Sequence, residues 1–379
     1  MAAAQGSTSI ESLEPIVKSS IALTQKLSTI LAEIYTKPDG PSTEESTPPI
    51  DALALVRDAA NLIRSHATKF SLLLINEPFT PSAIATVIRE LVSGPIPALT
   101  SAVQACQPSL HTALFRKELA WRAKRVLVEL GSLLSKVPKD GKVLSGADRD
   151  AFRPGDKGSM AATGLLWSAC DNVMSLVNMG VGGFFVHKVE EWRDTLKDVM
   201  LELKEWGEEE EEDDDDEDQD DSHAYVHENS TDDDAQSTFS AQDVIDELMS
   251  SGNTIPRNDP DGIRPRLESS IRRIRLVVLL YQAIVKRRLK KLPTLPSSGP
   301  SNVPQRLDEA ALVLCKLPDE FGELASAFYD MESGPIDEAM DQCFFSAFAA
   351  GELLTDSWDG ARDEFSEWTG TFKVEIKKS

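Results

Sequence analysis

Apolar residues recur at steps of three and four along most of this chain, the spacing of helices that each bury one stripe. Leu13, Val17, Leu27, Leu31 and Ile34 form the first stripe, with Ser12 as the expected cap and Pro15 in the tolerated first turn. The loop KPDGPSTEESTPP follows. A second helix is predicted from about residue 50 to 75, with Leu53, Val56, Leu62, Ile63, Phe70 and Leu74 on its apolar side. Thr80-Pro81 opens a third, which breaks at SGPIP, Ser93 to Pro97. A fourth pattern, from about 109 to 137, carries Leu110, Leu114, Trp121, Leu127, Leu130 and Leu134. The polar, Gly-containing segment 138–158 predicts a long surface connection.

Two further helices are predicted at about 159–178 and 184–206, parted by Gly180, Gly182 and Gly183. The second holds the cleanest period in the chain: Phe185, Val189, Trp192, Leu196, Val199, Leu203 and Trp206 repeat in strict 4-3 steps. Such a seam either packs inside one bundle or zips onto a partner. Internal packing is favoured, because three heptads are near the minimum for an independent coiled coil. Farther on, a short helix is predicted from Ser240 to Met249 and a long one from about Arg264 to Leu292, with Leu267, Ile271, Ile274, Val278, Tyr281, Val285, Leu289 and Leu292 inward. Helices at about 305–316, 318–331 and 335–356 and an amphipathic tail near Phe365 and Trp368 complete the pattern. No stretch alternates with period two for long enough to argue a sheet.

Charge divides this pattern. Residues 208 to 221 read EEEEEDDDDEDQDD, thirteen carboxylates in fourteen positions, and no Lys or Arg occurs between Glu208 and Asp234. Like charges at that density repel one another and have little apolar surface to bury, which predicts a disordered segment. The expected fold is therefore all-α: two antiparallel helical bundles separated by a disordered acidic segment. Its domains are an N-terminal bundle over 1–206, an acidic linker with one short helix over 207–263, and a C-terminal bundle over 264–379. Of the net −24, 17 negative charges lie between Glu208 and Asp234, so the remainder carries only −7. That balance disfavours direct nucleic-acid binding and favours partners with cationic patches.

Chemistry finds little foothold. No phosphate-binding Gly-rich loop, HExxH or GxSxG is present, so no catalytic, cofactor-binding or metal-binding residues are assigned. His66, His111 and His187 lie on predicted helices, and His223 and His227 lie in the acidic region, where metal ligation would need a fixed backbone. The cysteines at 106, 170, 315 and 343 include no close pair and read as reduced core thiols of an intracellular protein. The N-terminus has no secretory pattern, and the apolar run Leu276 to Val285 is about half of what spans a bilayer, so no membrane partner is expected. The basic stretch Lys286, Arg287, Arg288, Lys290 and Lys291 reads first as a helix end whose cations offset the macrodipole. It is also a candidate import signal or a docking site for the acidic run. Ser230 and Thr231, each with an Asp three residues on, are candidate phosphosites.

The segment TGLLWSACDNV (Thr163 to Val173) precedes a long amphipathic helix, an acidic break and a second helical half. In this order of parts, from about residue 50 to 357, the chain resembles the cyclin-D-interacting protein family, known as GCIP or cyclin-D-binding protein. RLDEAALVLCKLPDEFGELASAFYDM (Arg306 to Met331) is similar to that family's second half. Within the first segment, Trp167, Cys170 and Asp171 read as a helix-packing motif. The resemblance implies an all-helical, cytoplasmic and nuclear protein that binds D-type cyclins and restrains cell-cycle entry. It also implies a helix-loop-helix and leucine-zipper layout without a basic DNA-binding region. The 4-3 seam matches the zipper's place, but its two Trp and one Phe suit an internal core better than a parallel dimer. The expected function is non-enzymatic binding of a cyclin or related regulator. The alternatives are an acidic chaperone of basic proteins such as histones and a helical-bundle cytoskeletal scaffold.

Overall fold

The computed structural model describes residues 2–40, 51–150, 152–153, 156–208, 254–256, 258–296 and 301–378. Most of the acidic run, the candidate phosphosites Ser230 and Thr231 and the short helix predicted from Ser240 lie outside these residues. The fold is all-α, apart from a two-residue antiparallel pairing of β1 (Phe152–Arg153) with β2 (Asp156–Lys157) inside the predicted surface connection.

The helices in chain order are α1 (Ala2–Thr36), α2 (Ala52–Ile75), α3 (Pro81–Ser93), α4 (Pro95–Ala105), α5 (Pro108–His111), α6 (Ala113–Leu134), α7 (Gly146–Asp150) and α8 (Ser159–Glu208). After the acidic region come α9 (Ile263–Arg287), α10 (Val303–Leu314), α11 (Leu317–Tyr329), α12 (Ser333–Leu353) and α13 (Glu364–Glu375). They group into two compact units, Met1–Lys188 with Arg288–Ala311, and Val189–Arg287 with Leu312–Ser379. The sequence left open whether later helices complete the first bundle, and the stretch Arg288–Ala311 does join it.

In the first unit α1 packs chiefly on α6, and α2 on α4. Asp51 caps α2 by accepting from Ala54 N at 3.0 Å. The buried stripe of α2 is built largely of small residues, Ala52, Ala59, Ala60 and Ala67 beside Val56, Ile63, Phe70 and Leu74. Leu62, expected inside, is 50% exposed. The helix starting at Ser12 is also corrected, because α1 begins earlier and Pro15 lies within it. A proline inside a helix removes one ladder hydrogen bond, and here Leu13 and Val17 on either side are buried and hold that turn to its neighbours.

The break at SGPIP is as expected, α3 ending at Ser93 and α4 starting at Pro95. The fourth pattern, by contrast, divides at Thr112, whose φ of 71° and ψ of 148° are outside the helical region. Its hydroxyl accepts from Phe115 N at 3.1 Å, so the sharp turn is also the cap of α6. In α8, Gly180 has φ 67° and ψ 178°, a conformation that glycine adopts without a Cβ penalty, and the helix kinks there as the three glycines predicted.

In the second unit α11 packs on α12, and α9 on α12 and α13. Asp363 and Ser366 form a reciprocal capping box at the start of α13. Tyr281 on α9 donates its hydroxyl to Leu314 O at 2.6 Å, satisfying a buried polar atom. The helix predicted to reach Leu292 ends at Arg287 and passes into a 3-10 turn over Leu289–Lys291.

Among the described residues, α8 alone is long and apolar enough to cross a membrane by length and composition, with a window of mean hydropathy 1.2. Its apolar side is occupied within the protein: Leu166, Cys170, Val173, Leu176, Leu196 and Leu203 are fully buried.

Candidate functional site

The residues that carry the family resemblance form a polar ladder between two helices. Thr163, Trp167 and Asp171 recur at four-residue steps on α8 and so share one face. They meet Ser71, Thr68 and Arg64 of α2, in reverse chain order, as antiparallel helices require. The Thr163 and Ser71 hydroxyls are 3.0 Å apart, Trp167 Nε1 donates to Thr68 Oγ1 at 3.1 Å, and Arg64 Nε lies 3.0 Å from Asp171 Oδ1. The Arg64 guanidinium also lies over the Trp167 ring, 5.6 Å from its centroid. Cys170 is turned away into the core, and burial pushes its thiol up to about 12. A thiol so raised is a packing group and not a nucleophile at neutral pH. The motif is a register device for helix packing.

The 4-3 seam is buried within the protein to different depths. Phe185, Val189, Leu196, Leu203 and Trp206 are buried, whereas Trp192 and Val199 are half-exposed. Trp206 packs edge-on to Tyr329 at 5.4 Å between ring centroids and obliquely on Phe328 at 6.3 Å. A seam whose key positions are already covered offers a partner little apolar surface.

The basic stretch is not a uniform exposed run. Lys286, Arg287, Lys290 and Lys291 are exposed, but Arg288 is only 1% exposed. Arg287 pairs with Glu364 at the start of α13. The cations therefore occupy the end of α9 and the turn after it, the place where they offset the helix dipole.

The other chemistry-bearing residues do not converge. Among the described residues no group of three or more His, Cys, Asp or Glu has metal-binding geometry. His111 is buried, and that burial lowers its pKa. His66 is also lowered by burial, an effect opposed by Glu90, whose Oε2 is 3.4 Å from its Nδ1. His187 is exposed. Cys106 and Cys343 are buried, with thiol pKa values raised by burial, whereas Cys315, expected in the core, is half-exposed.

Two structural devices escaped the sequence reading. Asp308, on α10, accepts from Ala113 N at 2.6 Å and from Leu114 N at 3.0 Å, so its carboxylate sits on the N-terminus of α6. With Thr112 serving Phe115 N and Arg116 N, the first turn of α6 has every N–H satisfied. Arg116 is buried and donates to Pro38 O at 2.7 Å and Gly40 O at 2.8 Å, tying down the chain that leaves α1. Nothing near Asp308 or Arg116 in the sequence marks partners so distant along the chain.

Among the described residues, the surface concavities include two of note. One, of about 170 Å³, lies in the first unit between α6 and α8 and is lined by Trp121, Arg122, Arg125, Ala169 and Asn172. Trp121, expected in the core, is 44% exposed at its edge. The other is a wide groove of about 990 Å³ in the second unit, between α11 and α12.

Residues 55–209 match the family model described as Grap2 and cyclin-D-interacting, N-terminal. The chain is also similar to an uncharacterized protein of the fission yeast Schizosaccharomyces pombe, 26% identical over 157 residues, which is 41% of this chain and 44% of that protein. The chain thus spans less than half the length of this curated relative. The matched region contains the whole polar ladder of Arg64, Thr68, Ser71, Thr163, Trp167 and Asp171. Over residues 55–209 this match supports assignment to the Grap2 and cyclin-D-interacting family, by its N-terminal domain.

Proposed function

We propose that this chain is a non-enzymatic interaction protein that binds a cyclin or related regulator and modulates cell-cycle progression, working in cytoplasm and nucleus. The observation that carries this reading is the match of residues 55–209 to a family described by its interaction with D-type cyclins.

Within the matched domain the contact face we favour is on α6. Trp121, Arg125 and Val128 stand at i, i+4 and i+7, and Trp121 and Val128 are 44% and 51% exposed. Trp and Arg are the residue types that most often dominate binding energy at interfaces, and an exposed helix stripe is a ready docking element.

Affinity purification from host extract tests this with three forms: the full chain, a Trp121→Ala/Arg125→Ala double variant, and a chain lacking Glu208 to Asp234. Retention of a cyclin or its kinase by the first and third, and its loss from the second, is the expected result. If only histones and other basic proteins bind, and only when the acidic run is present, the protein is an acidic chaperone and the cyclin reading is wrong.

A further inference from the structure

The groove between α11 and α12 is a second surface, of different chemistry, outside the matched domain. Its apolar part comes from Ala327 and Pro335 and from Phe345, whose side chain is 70% exposed. A bare phenylalanine on a helix that already buries Ile336, Met340, Cys343, Phe344 and Ala347 on its other side is not needed for the core. Glu338, Asp341 and Phe345 follow one another at three- and four-residue steps, so one face of α12 presents two carboxylates in line with an aromatic ring. Glu323 of α11 faces the same space, and no Lys or Arg lines it. Asp341 has the charge of Arg273 near it, whereas among the described residues neither Glu323 nor Glu338 is held in an ion pair.

We infer that this groove binds a cationic amphipathic helix of a protein partner, its apolar face on Phe345 and the small residues and its Lys or Arg side chains on Glu323, Glu338 and Asp341. The charge is complementary, with Glu323 and Glu338 outside any ion pair among the described residues, and an open groove of about 990 Å³ lined by two helices is a setting in which an amphipathic helix docks. This inference does not rest on the cyclin reading, and the two surfaces fail or stand separately.

The test must set the groove apart from the acidic run, which attracts any polycation. Two fluorescein-labelled Leu/Lys peptides of roughly 18 residues, about five helical turns, serve as probes. They have identical composition, and only one is ordered to place all its leucines on a single face. With the full chain, fluorescence anisotropy should show the amphipathic isomer binding on the order of tenfold more tightly than the scrambled one, because only a groove reads the apolar face. Phe345→Ala, and separately a Glu323→Gln/Glu338→Gln/Asp341→Asn variant, should each remove most of that difference while leaving the scrambled peptide's affinity within about twofold. All four positions are exposed or face solvent, and circular dichroism checks that helix content is unchanged. Equal affinity for the two isomers, or a preference that survives both variants, overturns the assignment.

Discussion

The two units solve the same problem, fixing helices against one another, by different chemistry. In the first unit, register is set by buried or half-buried polar groups whose partners are far apart in sequence. Asp308 sits on the N-terminus of α6, Arg116 on the Pro38 and Gly40 carbonyls, and the α2–α8 ladder aligns Arg64, Thr68 and Ser71 with Asp171, Trp167 and Thr163. In the second, register comes mainly from rings. Trp206 packs on Phe328 and Tyr329, and Phe321 edge-on to Phe344 at 5.7 Å. Ring packing gains energy from area and tolerates small shifts, whereas a hydrogen bond lost inside a core leaves an uncompensated group and tolerates none. The first unit should therefore be the more exacting in geometry, and the second the more sensitive to lost volume.

The largest effect should come from volume. Trp206→Ala should destabilise the second unit by about 3–5 kcal/mol, the usual cost of deleting a buried large aromatic side chain, seen as faster hydrogen exchange in α11. Next in size is Arg116→Met, which keeps much of the volume but abandons both carbonyl contacts. A loss of about 2–3 kcal/mol is expected, with exchange rising at residues 36–40. If this variant is as stable as the parent, polar register is not what holds the first unit.

Asp308→Ala should cost about 1–2 kcal/mol at neutral pH, the worth of a helix cap. Its pH dependence carries a distinct signature. Burial raises the Asp308 pKa above its ordinary 3.8 against the opposing pull of the two backbone N–H groups. Between 3.8 and that raised value the folded state binds more protons than the unfolded state, so this group favours folding more as pH falls. The stability gap between parent and variant should therefore widen on acidification through that window. A gap that narrows there would contradict the raised pKa. The smallest effect is Asp171→Ala. The Arg64 and Asp171 side chains are 41% and 53% exposed, so the loss should be below about 1 kcal/mol and should fade with salt. Trp167→Phe, which removes the indole N–H from Thr68 while keeping a ring under Arg64, should cost about 1 kcal/mol, and thermal denaturation resolves the two.

Much of this was legible from local pattern. The helix after Thr80, the break before Pro95, the kink at Gly180 and the successive C-terminal helices follow from periodicity interrupted by Gly and Pro, signals contained in a few adjacent residues. The failures share a cause too. Hydrophobicity alone places Leu62 and Trp121 inside, but α2 is covered on a face of Ala52, Ala59, Ala60 and Ala67 with larger residues between, and α6 on a face led by Leu119, Leu127, Leu130, Leu133 and Leu134. In sequence Arg288 is one of five equivalent cations, but it is buried, because the end of α9 at Arg287 re-aims the residues that follow. Thr112 carries no mark of its strained backbone, since the turn is fixed by Asp308, almost two hundred residues away.

Local pattern alone marks the chain as helical, places most helix ends and shows that an acidic run parts the pattern, and it reads Trp167, Cys170 and Asp171 as a helix-packing motif. Helix period and turn chemistry are local, so a window of residues suffices to read them. Packing, by contrast, sets Arg288–Ala311 in the first unit, covers Phe185, Val189, Leu196, Leu203 and Trp206 of the 4-3 seam, and leaves Trp121 and Phe345 at the surface. Periodicity states which face of a helix is apolar, and says nothing of which other helix, if any, comes to cover it.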